Sequence, residues 1–370
     1  MDKVHAMVLK SFNEPFECME FEKPVPKNGE VLVKIAGCGI CGSDIHIWKG
    51  EDKRAHLPMI LGHEGVGFIE SLSGSSKQDI FGNALQEGDL IVWNRGVSCK
   101  KCYTCLIKRQ NYLCPGRWSY GFSKSIHDYP YLNGSYSSHI LLTPETEIIR
   151  VKPLENIDPN EDYSVYASLC CAGTTTACVF EQARLQSGDQ VVIQGPGPLG
   201  IYAVLFAREC GAKSIIVIGG TENRLNLCLE AGATHIINRK NTSFEQRRAL
   251  VTEATEGRGA DAVLEFAGTS SAVEEGIQYL AYGGAYISAG IAVDVGQVSI
   301  NWFRDVGRRN ARIQGVWVGD SKNTWQALEV FTRYKPMLEK MVTHKIPLEK
   351  ANDALMMVER KEAIKAVLIP

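Results

Sequence analysis

Residues 190–210 read QVVIQ-GPGPLG-IYAVLFAREC, and the fold is decided there. QVVIQ is a short apolar run that suits a buried strand, and Ile201 to Cys210 has a helical pattern. Between them lie Gly195, Gly197 and Gly200 in a G-x-G-x-x-G turn. Such a turn alone is weak evidence; placed after a strand and before a helix, it reads as a dinucleotide-phosphate loop. The first Gly allows the tight turn, the second lets the backbone approach a pyrophosphate, and the third permits close helix–strand packing. The helix N-terminus supports the phosphate charge.

The pattern repeats downstream. SIIVIGG (214–220) is the next predicted strand, and RLNLCLEAGA a helix ended by Gly. ADAVLEFAG (260–268) and GAYISAG (284–290) continue the strand series. Alternating strands and helices predict an α/β fold with a doubly wound parallel sheet. The first 170 residues differ, with short apolar stretches such as EVLVKIAG (30–37) and DLIVWN (89–94) between Gly- and Pro-rich loops, an all-β texture. From about 321 the alternation stops. A helical piece containing TWQALEVF leads to a strand-like AVLIP, a candidate to return to the first domain.

At 370 residues, two domains are expected. The apolar fraction of 45% and charged fraction of 22% are those of an ordinary globular enzyme. A net charge of −2 argues against nucleic acid or an anionic membrane as partner. No apolar run approaches the roughly 20 residues that span a bilayer. The first residues lack the apolar core of a signal peptide. Twelve Cys without such a signal point to reduced thiols and metal binding in a cytoplasmic setting.

Four of those Cys are clustered. Residues 99–114 read C-KK-C-YT-C-LIKRQNYL-C, placing Cys99, Cys102, Cys105 and Cys114 within reach of one tetrahedral ion. Zinc takes such a closed all-thiolate cage in structural sites; a disulfide cluster is the competing reading. At the end of the second predicted strand, NAD-selective sites usually carry an acid for the ribose hydroxyls. Here Gly219, Gly220 and Thr221 stand instead. Arg224 could pair with a 2′-phosphate while Glu222 would oppose it. The reading leans to NADP and leaves NAD open.

Three further stretches are ordinary one by one: Cys41 in C-G-S-D-I-H, His63 and Glu64 in G-H-E-G-V-G, and Cys171 in C-C-A-G-T. As an ordered set beside the four-Cys run and the glycine turn, they closely resemble the zinc-containing alcohol dehydrogenases of the medium-chain dehydrogenase/reductase superfamily. The resemblance spans essentially the whole length. It implies a GroES-like β-rich catalytic domain (1–170 and 321–370) and a Rossmann NAD(P)-binding domain (171–320), with the cofactor cleft between them. It also implies two zinc ions per chain, a small alcohol or carbonyl substrate, and a homodimer or homotetramer paired through Rossmann sheet edges.

By position, Cys41, His63 and Cys171 resemble the catalytic zinc ligands, with Cys170 as a rival to Cys171. Glu64 resembles the carboxylate that can approach that zinc, and Asp44 the acid that orients the ligand His. Ser43 and then His46 resemble the relay that carries the alcohol proton outward. Leu199 would lie behind the nicotinamide ring and Thr175 near it. The implied reaction is reversible hydride transfer between an alcohol and NAD(P), with the cation acting as Lewis acid.

Two features depart from the family pattern: eight residues rather than seven separate Cys105 from Cys114, and the acidic coenzyme residue is absent. A third concerns substrate. Four positions before the first cage Cys the family commonly has an apolar pocket residue; this chain has Arg95. Arg95, with Trp48, Trp93 or Tyr120 nearby, would favour a polar or anionic alcohol. Two other readings compete: a zinc-free-type enoyl or quinone reductase on the same fold, and a zinc-stabilised nucleotide-binding sensor without catalysis.

Overall fold

The computed structural model describes residues 2–74 and 77–370. Its chain forms two compact units. The first runs to Cys171 and includes Asp320–Phe331 and Leu338–Pro370; the second holds Ala172–Gly319 and Thr332–Met337. The helix Ser321–Glu339 contributes to both, and its backbone breaks at Tyr334 (φ −114, ψ 24), two residues before the internal Pro336. A Pro there lacks the N–H for the helical ladder and its ring crowds the preceding turn.

In the first unit a seven-stranded sheet is built around Val31–Gly39. That strand pairs antiparallel with Gly65–Leu72, His139–Leu142 and the C-terminal strand Lys365–Ile369. The tail therefore does return, with Val367 opposite Gly39 and Leu368 opposite Cys38. A second sheet joins Glu17–Glu22, Lys3–Leu9 and Met59–Ile60. The unit is not purely β. The helix Gly42–Trp48 and a 3₁₀ segment Tyr163–Cys170 interrupt it, and both lead into site residues.

The second unit is a six-stranded parallel sheet in the order His235–Asn238, Ser214–Gly219, Gln190–Gln194, Ala260–Glu265, Leu280–Ser288, Arg312–Gly315. Numbered along the chain this order is 3-2-1-4-5-6, that of a Rossmann fold. Gln190–Gln194 and Ser214–Gly219 are buried at every position. Strands covered on both faces read as continuous apolar runs, which is why sequence alone located them. The edge strands His235–Asn238 and Arg312–Gly315 are half-exposed, so they lack such a run and left no clear mark.

Candidate active site and metal centres

The C-G-S-D-I-H stretch becomes one turn of helix. Cys41 is the N-cap of Gly42–Trp48, and Asp44, at the third helical position, accepts the Cys41 backbone N–H through Oδ2 at 2.9 Å. This reciprocal cap explains why Cys and Asp sit three apart. The other Asp44 oxygen, Oδ1, lies 3.1 Å from His63 Nδ1, and the Tyr136 hydroxyl donates to Oδ2 at 3.3 Å. A carboxylate on Nδ1 holds the proton there and leaves Nε2 as a lone-pair donor. His63 and Glu64 lead into the strand Gly65–Leu72, and Cys171 follows the 3₁₀ segment Tyr163–Cys170.

One ligand atom from each of Cys41, His63, Glu64 and Cys171 lies within 4.8 Å of the others. The Cys41 and Cys171 sulfurs are 3.9 Å apart. An ion at a Zn–S distance of 2.3 Å puts tetrahedral sulfurs roughly 3.8 Å apart, so the donors fit zinc. Cys170 points elsewhere, donating to the Gly65 carbonyl at 3.2 Å. Ser43 Oγ sits 3.4 Å from His63 Nε2. His46 lies one turn further on, its Nδ1 2.5 Å from Glu51 Oε2.

Burial pulls the His63 imidazole down, but the Asp44 charge and the hydrogen bonds with Asp44 and Cys41 together outweigh it and push the ring up to about 9. The hydrogen bond with Cys171, and then burial, push the Cys41 thiol up, whereas Cys171 itself is held down by donation from Cys41. The metal-free pocket therefore holds protons that an incoming cation must displace.

Sequence reading overlooked Lys365. Its Nζ donates to Glu64 Oε2 at 2.5 Å and to the Ile40 carbonyl at 3.2 Å, and it is buried with Glu64. A Lys at the start of an apolar strand looks like a solvent-facing residue; only the return of the tail to Val31–Gly39 places it beside Glu64. The other Glu64 oxygen, Oε1, is buried without a hydrogen-bond partner among the described residues. An orphan acceptor on a residue of the donor cluster also fits a cation.

Cys99, Cys102, Cys105 and Cys114 converge in the same way, with all four sulfurs within 4.8 Å of one another. Cys114–Cys99 is 3.4 Å, Cys102–Cys105 3.5 Å and Cys102–Cys114 3.9 Å. A short helix, Tyr103–Leu106, and a 3₁₀ turn, Asn111–Leu113, absorb the eight-residue gap, with Arg109 at φ 52 between them. The set suits a closed structural zinc site.

In the second unit Gly195 has φ 107, and a Cβ at Gly200 would sit 2.0 Å from the Gly195 carbonyl oxygen. Its own two neighbours aside, no described residue lies within 4 Å of where a Gly197 Cβ would be. Gly197 caps the helix Pro198–Glu209, with Pro198 in its first turn. That open backbone at a helix start fits a pyrophosphate. Thr175 is buried on the helix Ala172–Ala183, and Thr176 Oγ1 donates to the Leu199 carbonyl at 3.2 Å. Gly219 ends its strand, and Arg224 lies in the first turn of Glu222–Ala231. Two cations not foreseen stand beside Gly220. Its Cβ would be 3.3 Å from Arg239 Nε and 3.5 Å from Lys240 Cε.

Trp93 and Tyr120 belong to a hydrophobic core, and the Tyr120 hydroxyl is hydrogen-bonded to Thr143 and Thr146. Trp48 donates to the Glu14 carbonyl. Arg95 does lie at the pocket. Burial pulls its guanidinium down but the Cys171 and Cys41 sulfurs push it up, and its Cζ is 5.6 Å from the ring of Phe122, which packs on His63 at 4.4 Å.

This arrangement defines a metal-assisted, dinucleotide-linked oxidoreductase, and comparison with known proteins agrees. Residues 27–153 match the alcohol dehydrogenase GroES-like domain and residues 198–333 the zinc-binding dehydrogenase domain. The chain is 31% identical to 5-exo-hydroxycamphor dehydrogenase of Pseudomonas putida, over 98% of this chain and 97% of that protein. It is 28% identical to D-arabitol-phosphate dehydrogenase of Enterococcus avium, over 95% and 92%. An alcohol dehydrogenase from Thermotoga maritima superposes with a TM-score of 0.95 at 42% identity, with both chains covered completely. The chain belongs to the zinc-containing alcohol dehydrogenases of the medium-chain dehydrogenase/reductase superfamily. It is an oxidoreductase acting on CH–OH donors, with zinc and NAD(P) as cofactors and a small alcohol or carbonyl compound as substrate.

Proposed function

We propose that Cys41, His63 and Cys171 hold the catalytic zinc, that Glu64 stands by as an exchangeable fourth ligand, and that Ser43 and His46 pass the substrate proton outward. The convergence of the four donor atoms within 4.8 Å carries the assignment. When bound, zinc supplies Lewis acidity to the substrate oxygen. Asp44 fixes the His63 ring so that Nε2 faces the site. Lys365 Nζ donates to Glu64 Oε2 and so restrains that carboxylate. Ser43 Oγ, 3.4 Å from His63 Nε2, is near enough to accept a proton from an alcohol held there. His46, on the same helix and paired with Glu51, supports the reading of an outer proton carrier. Cys99, Cys102, Cys105 and Cys114 hold the second, structural zinc.

The cofactor domain is residues 171–320 and the catalytic domain 1–170 with 321–370. Gly195, Gly197 and Gly200 cradle the pyrophosphate; Leu199 and Thr175 flank the nicotinamide. The coenzyme is NADP: the second strand ends in Gly219 and Gly220 without an acid, and Arg239 and Lys240 join Arg224 as cations for a 2′-phosphate. The protein is cytoplasmic, a reading supported by twelve cysteines that are all free thiols. It forms a homodimer or homotetramer through the sheet edge at Arg312–Gly315, where Ile313 and Trp317 are exposed.

The test is a turnover screen of zinc-replete protein with NAD and with NADP against simple alcohols, diols, polyols and hydroxy acids, following reduced nicotinamide. Turnover with one alcohol class and a preference for NADP is expected. Silence across the panel with coenzyme still bound would favour the sensor reading.

A further inference from the structure

The parallel sheet divides a dinucleotide between its two halves. In this strand order each half takes one mononucleotide beyond the carboxyl ends of its strands. The ribose met at the end of the second strand is that of adenosine, so the adenosine half belongs to the strands ending at Gln194 and Gly219. The nicotinamide half then falls to Ala260–Glu265 and Leu280–Ser288, the first two strands beyond the switch point. Glu265 and Ser288 are the last residues of those strands and are partners in the ladder. On its other side Glu265 is partnered by Gln194, the residue before Gly195.

Glu265 is 0% exposed. Its Oε1 accepts the Gly268 N–H at 2.6 Å, and its Oε2 accepts the Ser288 hydroxyl at 2.8 Å and the Gly290 N–H at 3.3 Å. One side chain thus ties together the loops that leave both strands. Those loops are packed backbone to backbone. A Cβ on Gly268 would stand 2.6 Å from the Gly290 carbonyl oxygen, and a Cβ on Gly290 2.6 Å from both the Gly268 nitrogen and Glu265 Oε1. The same segment abuts the glycine turn, where a Gly195 Cβ would be 2.9 Å from the Phe266 carbonyl carbon. Only the acceptor-only, ionised group satisfies all three donors. Among the described residues no Lys, Arg or His is hydrogen-bonded or ion-paired to Glu265. The fold therefore buries a negative charge with no counter-ion beside it, at the strand ends that face the nicotinamide half. Hydride transfer takes that ring from a cation to a neutral species, so a fixed charge there acts on one of the two states and not on the other.

We propose that Glu265 is a positioning residue whose buried charge sets the balance between oxidised and reduced coenzyme, favouring the cationic ring. The inference rests on the glycine turn being the coenzyme site.

The experiment measures dissociation constants of zinc-loaded protein for NADP⁺ and NADPH by calorimetry, with NAD⁺ and NADH run alongside. In Glu265→Gln the ratio of the constants, oxidised to reduced, should rise about 5- to 30-fold over the wild type. That is the range for one unit charge at about 10 Å in an effective dielectric of about 20, less screening. The variant is expected to fold, because a Gln keeps an acceptor for the Gly268 N–H and can donate to Ser288 Oγ. Ser288→Lys, which sets a cation beside an unaltered Glu265, should raise the ratio in the same direction and stands in if Glu265→Gln does not fold. Ser288→Ala loosens one tie and leaves the charge, so it should weaken both forms alike, by about 3- to 10-fold, with the ratio within about twofold of wild type. Circular dichroism and zinc content certify each variant. A purely structural Glu265 would weaken both forms equally in Glu265→Gln; an unmoved ratio there, or a ratio moved as far by Ser288→Ala, overturns the proposal and leaves the dehydrogenase reading intact. Wild-type protein that binds neither form of either coenzyme overturns the coenzyme reading and the proposal with it.

Discussion

Replacing Lys365 by Met should destabilise the zinc-loaded protein by about 4 kcal/mol, a figure that follows from the geometry of the pair. Lys365 Nζ is 2.5 Å from Glu64 Oε2, and the two side chains are 3% and 1% exposed. At an effective dielectric of about 20 the direct attraction is roughly 6–7 kcal/mol. Desolvation offsets much of this, but removing one partner leaves the other charge buried, which costs about 3–5 kcal/mol. The Ile40 carbonyl also loses its donor, worth about 1 kcal/mol. Met keeps the aliphatic bulk, so the loss reports the charge. The assay is equilibrium urea unfolding of wild type, Lys365→Met, Glu64→Gln and the double variant, all with zinc bound. The double variant should recover at least about 2 kcal/mol relative to the sum of the singles, since neither charge is then stranded. A single-variant loss below about 1 kcal/mol, with no coupling in the cycle, would refute a buried pair and the restraint it places on Glu64.

Three other outcomes follow from the same geometry. The metal-free His63 is pushed up to about 9, so its proton stabilises the metal-free fold below about pH 6.5 and that contribution fades as pH rises through about 9. Zinc must displace that proton, so chelator competition should show affinity at the catalytic site climbing at least about tenfold per unit from pH 7 to 9; a flat profile would contradict the assignment. Arg239→Ala should raise KM for NADP by about 10- to 100-fold while shifting that for NAD far less, as steady-state kinetics with both coenzymes would reveal. Ser43→Ala should lower kcat by about 10²- to 10⁴-fold through loss of proton transfer, with an altered pH–rate profile; a change confined to KM would remove Ser43 from the relay.

Much of this molecule was legible in one dimension because its chemistry is local. The glycine turn works through backbone within six residues, from Gly195 to Gly200, and the thiol cage through sixteen, from Cys99 to Cys114. The strands that mattered are buried on both faces, so hydrophobicity alone marked them. Even the link between Cys41 and Asp44 is a single helical turn. What sequence could not decide is what depends on chain segments far apart meeting in space. The C-A-G-T match favours Cys171 over Cys170 on paper only by resemblance, and it is the turn of the backbone after Tyr163–Cys170 that sends one thiol to the Gly65 carbonyl and the other to Cys41. Trp93 and Tyr120 are near Arg95 in sequence, and only packing shows that both belong to one hydrophobic core. Lys365 comes to Glu64 across 301 residues. Local motifs encode which groups can bind a metal or a phosphate; only the tertiary fold determines which charges surround them, because the pairing of buried charges is set by contacts between distant strands.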